Sequence, residues 1–186
     1  VMRMKALILA MSMLPLMAVA GQKIDEQISV PVNKRIFIDN QRGDVRVEGW
    51  VKAELKISGE LDDKAQGYRL EVENDRIEFI VKMPRNQNYG WNRGDGSELV
   101  IFMPKSSELE LSGVNVNVVA SELSNGTDID VVNGDITLSA IEGDIRIKMK
   151  NDSTGYEWSK SPWDDRDTPM FFHPDNKKHE PIAITL

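Results

Sequence analysis

Apolar residues recur at every second position along most of the chain, and that spacing limits what it can fold into. Ile28/Val30/Val32, Ile36/Ile38, Val45/Val47, Leu55/Ile57, Leu70/Val72, Ile77/Phe79/Val81, Leu99/Ile101/Met103 and Leu109/Leu111 all follow it. A period of two puts alternate side chains on one face of a strand, whereas a helix needs apolar residues at i, i+3, i+4 and i+7. No stretch after residue 20 keeps the helical stripe over three turns, and Gly, Asn, Asp and Pro separate the runs as turns require. The pattern predicts an all-β protein. Antiparallel-style strands are expected to about residue 105, continuing into a short parallel β-solenoid to about residue 150.

The solenoid rests on a repeat within residues 113–150. Gly126-Thr127-Asp128-Ile129-Asp130-Val131, Gly134-Asp135-Ile136-Thr137-Leu138 and Gly143-Asp144-Ile145-Arg146-Ile147 share the pattern G-(x)-D-I-x-(apolar). Val114/Val116/Val118 reads as one more strand upstream, and Asn40-Gln41-Arg42-Gly43-Asp44-Val45-Arg46-Val47 as an early copy. Self-similarity at a short fixed period marks stacked β architecture, and two units, about 17 residues, make one coil. Gly43, Gly126, Gly134 and Gly143 are expected to supply positive φ at the corners. Asp44, Asp128, Asp135 and Asp144 are expected to bond the local backbone there.

Residues 1–20 read differently. Arg3 and Lys5 precede an apolar run that ends in Ala18-Val19-Ala20 before Gly21. A basic start, an apolar middle and an A-x-A end are the parts of a cleavable signal peptide, with cleavage after Ala20. The run is shorter than the roughly 20 residues a membrane span needs, and it contains Pro15. The expectation is an exported protein, periplasmic or at the cell surface, with no transmembrane anchor after cleavage. The mature chain, 21–186, keeps 21 of the 23 basic residues and all 30 acidic ones, so its net charge is 21 − 30 = −9. That balance argues against nucleic acid, which is held by clustered Lys and Arg. Zero cysteines exclude a disulfide framework and any Cys-based metal or redox site. Residues 151–186 turn aromatic and proline-bearing, and form a divergent cap or tail after a domain at 21–150.

Val47-Glu48-Gly49-Trp50, Leu61-Asp62-Asp63-Lys64, Met83-Pro84-Arg85-Asn86, Gly94-Asp95-Gly96-Ser97 and above all Val132-Asn133-Gly134-Asp135-Ile136 resemble the bacterial family known as putative adhesins. The resemblance covers roughly residues 24–150. It implies an exported or membrane-tethered parallel β-solenoid of unknown function, with turn-forming rather than catalytic motifs. This chain carries few repeats and an unrelated C-terminus.

The chemistry-bearing residues are few. His173 and His179 flank Pro174, Lys177 and Lys178 in the divergent segment, without the supporting ligands of a metal site. No G-x-S-x-G motif sets a nucleophile beside a base. Paired carboxylates could cleave a glycosidic bond on a β-helix, which makes a polysaccharide-active enzyme the alternative reading. Asp128, Asp135 and Asp144 recur as turn residues do, however, and the G-D-I array is too sparse in oxygen ligands for calcium. Arg-Gly-Asp occurs at 42–44 and 93–95, a common accident in a chain rich in G-D turns. The best recognition candidate is the 85–96 loop, where Arg85, Tyr89, Trp91 and Arg93 combine aromatic rings with polar groups. The sequence therefore reads as a non-enzymatic binding or structural module without a cofactor or metal. Its expected partner is an envelope protein or polysaccharide.

Overall fold

The computed structural model describes residues 21–31, 33–85 and 96–150, together with the backbone of three later strands. The described residues are strands and turns with no helix. In chain order the strands are β1 (Lys23–Ser29), β2 (Arg35–Trp50), β3 (Glu54–Glu60), β4 (Tyr68–Val72), β5 (Arg76–Val81), β6 (Ser97–Pro104) and β7 (Glu108–Leu123). They are followed by β8 (Thr127–Asn133), β9 (Ile136–Ile141), β10 (Ile145–Met149), β11 (Tyr156–Lys160), β12 (Met170–Phe172) and β13 (Ile182–Ala183).

Two strands of 16 residues, β2 and β7, organise the rest. They pair in parallel from Arg35↔Glu108 to Glu48↔Ser121. Each then forks: the first half of β2 also pairs with β5 and its second half with β6, while β7 divides between β8 and β9. Two wings result. One runs β4-β5-β2-β7-β8-β10-β11, and the other β1-β3-β6-β2-β7-β9-β12-β13. The sheet is mixed and not closed, since among the described residues β1 and β4 each have a single strand partner.

The forks follow from a slip in the inward-facing phase. In β2 the buried positions are Ile36, Ile38 and Asn40, then Val45 and Val47; in β7 they are Leu109, Leu111 and Gly113, then Val116, Val118 and Ala120. Changing parity turns the strand through a corner, so each half joins a different wing while both still face one core. Gly113 is required there, because a Cβ would lie 2.5 Å from the Asn40 carbonyl oxygen and 2.5 Å from Val116. Asn40 is fully buried and donates its amide to the Arg42 carbonyl at 3.1 Å. The core is aliphatic, with Phe79 as a buried ring. Each such side chain contributes roughly 1.5–3 kcal/mol of apolar burial.

Two expectations are corrected here. The region before residue 105 is mixed rather than antiparallel throughout: β1–β3, β3–β6 and β4–β5 are antiparallel, but β2 is parallel to β5 and β6. Val114/Val116/Val118 is not a separate strand, since the corner at Gly113 is turned without a break in β7. The repeat region pairs in parallel with an advance of 18 residues, as in Leu109↔Thr127, Thr127↔Ile145 and Val118↔Ile136.

Candidate functional site

The outward side of the second wing carries the arrangement most suited to contact. Phase places Asp44, Arg46 and Glu48 outward on β2 while Val45 and Val47 are buried. Register sets Arg46 between Val100 of β6 and Val119 of β7, and Asp44 between Glu98 and Asn117. Val100 and Val119 are 36% and 39% exposed, high for residues of their type. Asp44, Arg46, Glu98, Val100, Asn117 and Val119 line an open depression of about 330 Å³. Asn117 donates to Asp44 at 2.8 Å and accepts from the Asp135 N–H at 3.1 Å, which fixes the rim. Arg46 is exposed, and among the described residues it enters no ion pair. With valines on either side and the Asp44 and Glu98 carboxylates in the same lining, the guanidinium suits a neutral carbonyl or hydroxyl with an apolar edge rather than an anion. Farther along the same face Trp50 stacks on Phe102 at 5.2 Å, with the Lys52 ammonium 4.7 Å from its ring.

Charges on the outer side of the first wing are instead consumed by one another. Arg69 pairs with Glu71 and Glu78, Arg76 with Glu78 and Glu110, Arg35 with Glu108, Arg146 with Asp128, and Lys150 with Asp130. The Arg76 guanidinium also covers the Phe37 ring at 4.3 Å.

The residues singled out from sequence are distributed as follows. Arg85 is exposed at the end of a described stretch; Tyr89, Trp91 and Arg93 lie outside the described residues, as do His173 and His179. Gly43, Gly126, Gly134 and Gly143 have φ of 114°, 102°, 131° and 83°. The carbonyls of Asp135 and Asp144 accept from the N–H groups of Val118 in β7 and Thr127 in β8. Asp44 bonds Asn117 across strands rather than in its own turn. Asp128 is a correction: it lies inside β8, because the Gly126 turn holds one residue more than the others, and its carboxylate pairs with Arg146 at 3.0 Å. Asp128→Asn should therefore change stability by no more than about 0.5 kcal/mol, the scale of an exposed ion pair. Denaturant titrations with and without calcium check this, and a calcium-dependent difference would contradict it.

The first Arg-Gly-Asp is a structural joint. Arg42 holds Asp62 through Nε and, at 2.9 Å, through Nη2. Asp62 also accepts from the Lys64 N–H at 2.8 Å, while its own N–H donates to the buried Ser97 hydroxyl at 3.0 Å. Burial pushes the Asp62 carboxyl up, but the hydrogen bonds from Arg42 and Lys64 outweigh it and hold the pKa at about 2. Sequence reasoning passed over this triad, because its members lie in three separate motifs. It also missed the Arg46 depression, although Val100 and Val119, set between buried alternate residues, marked strands apolar on both faces. Among the described residues no group of three or more His, Asp or Glu could hold a metal ion, and no helix is long and apolar enough to cross a membrane.

Comparison with protein-family models and with curated proteins gives no match. Solved structures give faint likenesses. A "putative cell adhesion protein" from Clostridium sporogenes is 12% identical with a TM-score of 0.45, over 77% of this chain and 91% of the other. A "putative adhesin" from Parabacteroides distasonis is 12% identical with a TM-score of 0.31, over 66% of each chain. A "putative lipid binding protein" from the same organism is 14% identical with a TM-score of 0.30, over 66% of this chain and 60% of the other. All three TM-scores are below 0.5, so these likenesses assign no function to this chain.

Proposed function

We propose that the protein is an exported, non-enzymatic module of the bacterial envelope, an adhesin-like binding domain built as a short parallel solenoid. Residues 1–20 are its signal peptide, residues 21–150 its working domain, and residues 151–186 a divergent cap or tail. It holds an envelope polysaccharide or protein on the outward face of the second wing, and the 85–96 segment, with Arg85, Tyr89, Trp91 and Arg93, supplies further contacts. The observation that carries this reading is Arg46, exposed and outside any described ion pair, set between two exposed valines in an open depression.

Binding isotherms of the purified chain on isolated envelope polysaccharide and on envelope membrane protein test it. Arg46→Ala should weaken retention on one of the two by about tenfold, the loss of one well-placed contact worth about 1.4 kcal/mol. Retention on neither material, or identical isotherms for Arg46→Ala and wild type, would overturn it.

A further inference from the structure

Among the described residues strand β4 is a free edge with a defined backbone phase. It pairs antiparallel with β5 through Tyr68↔Val81, Leu70↔Phe79 and Val72↔Ile77, and no other described strand bonds it. Lys82 N–H donates to the Gly67 carbonyl and Glu73 N–H to the Arg76 carbonyl, each at 2.8 Å. Residues that exchange ladder bonds alternate with residues that do not. Gly67, Arg69, Glu71 and Glu73 therefore turn their backbone groups towards β5, and Tyr68, Leu70 and Val72 turn theirs outward. The side chains of those three lie on the core-facing side, yet Tyr68 and Leu70 are only partly buried and Val72 is 60% exposed. Arg69 and Glu71 stand on the opposite face with 40% and 46% of their side chains exposed.

We propose that β4 pairs antiparallel with β4 of a second copy of this chain, about a two-fold axis through Leu70. The five residues Tyr68-Arg69-Leu70-Glu71-Val72 are complementary to themselves in that register. Tyr68 meets the exposed Val72 of the other copy, and Arg69 meets its Glu71, twice over by symmetry. Leu70 meets Leu70. The outward N–H and C=O groups of residues 68, 70 and 72 are the ones this register exchanges, so the sheet continues unbroken from one copy into the next. An axis through Arg69 or Glu71 instead sets like charges directly opposite, which is destabilising. The other free edge, β1, lacks this property, since centring it on Glu26 opposes Glu26 to itself. Edge strands are ordinarily guarded by charge. On β4 the guarding charges, which pair within one copy, also meet opposite charges when the strand meets its own copy. Five residues a side make a small interface, so the association is weak and concentration-dependent. The inference is independent of what the Arg46 depression binds.

Sedimentation equilibrium of the purified chain tests it. The wild type should rise from the mass of one copy towards two as concentration increases. Arg69→Glu and Glu71→Arg should each stay at one copy, because each places like charges across the axis. An equimolar mixture of the two should recover the doubled mass, since the two acidic positions of the first variant then face the two basic positions of the second. Val72→Pro provides a variant that spares the β5 ladder, because the Val72 N–H points away from it; it should keep the wild-type circular dichroism and remain at one copy. A wild type of unchanging single mass, charge variants or Val72→Pro that dimerise like wild type, or a mixture that stays at one copy would each overturn the proposal.

Discussion

Gly134→Val should lower the melting temperature by roughly 6–12 °C, the equivalent of about 3 kcal/mol or more for a chain of this size. Two effects add. A β-branched residue at φ 131° is held in a backbone region it resists, worth about 1–3 kcal/mol. Its Cβ would also overlap the Val116 carbonyl, which belongs to β7 and cannot move without disturbing the β7–β9 ladder. Gly143→Val should cost less, because the nearest atom to its Cβ is the Gly126 nitrogen at 2.8 Å. Gly126→Val should cost least of the three, with its nearest neighbour at 3.3 Å. Thermal melts monitored by circular dichroism give the ranking, and an equal loss at all three positions would show that φ alone decides.

Breaking the Arg42–Asp62 pair should be comparably damaging and, unlike the glycine changes, dependent on pH. Arg42→Ala leaves a carboxylate that is 2% exposed without its main partner, and loss of one member of a buried pair costs about 3–5 kcal/mol. The Asp62 pKa is depressed from 3.8 to about 2, so its contribution is present above the unfolded value and lost as pH falls through the folded one. At 1.36 kcal/mol per pK unit this linkage is worth roughly 2–3 kcal/mol at neutral pH. Urea titrations at pH 7 should therefore separate wild type from Arg42→Ala widely, and the gap should close between about pH 4 and pH 2. A gap unchanged at pH 2 would mean that Arg42 acts through packing of its side-chain stem rather than through charge.

Local information in the chain made the strands legible but not their partners. Val45/Val47 and Ile136/Leu138 announce strands by period two, and the G-D-I units announce where turns fall, because both are properties of neighbouring residues. Which strand lies beside β2 depends on the parity slip at Asn40 and on the gap Gly113 leaves opposite it, a match between residues far apart in sequence. The same holds for Arg42, Asp62 and Ser97, each unremarkable in its own segment and joined only by the fold. Asp128 was misplaced because one inserted residue, Thr127, moves it from turn to strand, a shift that repeat alignment absorbs without notice. The Arg46 depression was half legible. Val100 and Val119 break strict alternation, but only register shows that they flank the same arginine.

The partnership of β2 and β7 also fixes an order in time. Arg35 lies beside Glu108, 108 − 35 = 73 residues later, so the strand that every wing depends on cannot be completed until the chain has emerged through β7. Until then β2 offers aliphatic residues and unbonded backbone on two sides with little besides β5 and β6 to occupy them. Distant pairings are entered slowly, because loop closure must precede the contacts that compensate it. A chain that emerges from its N-terminus thus spends the first two thirds of its appearance without its central pair.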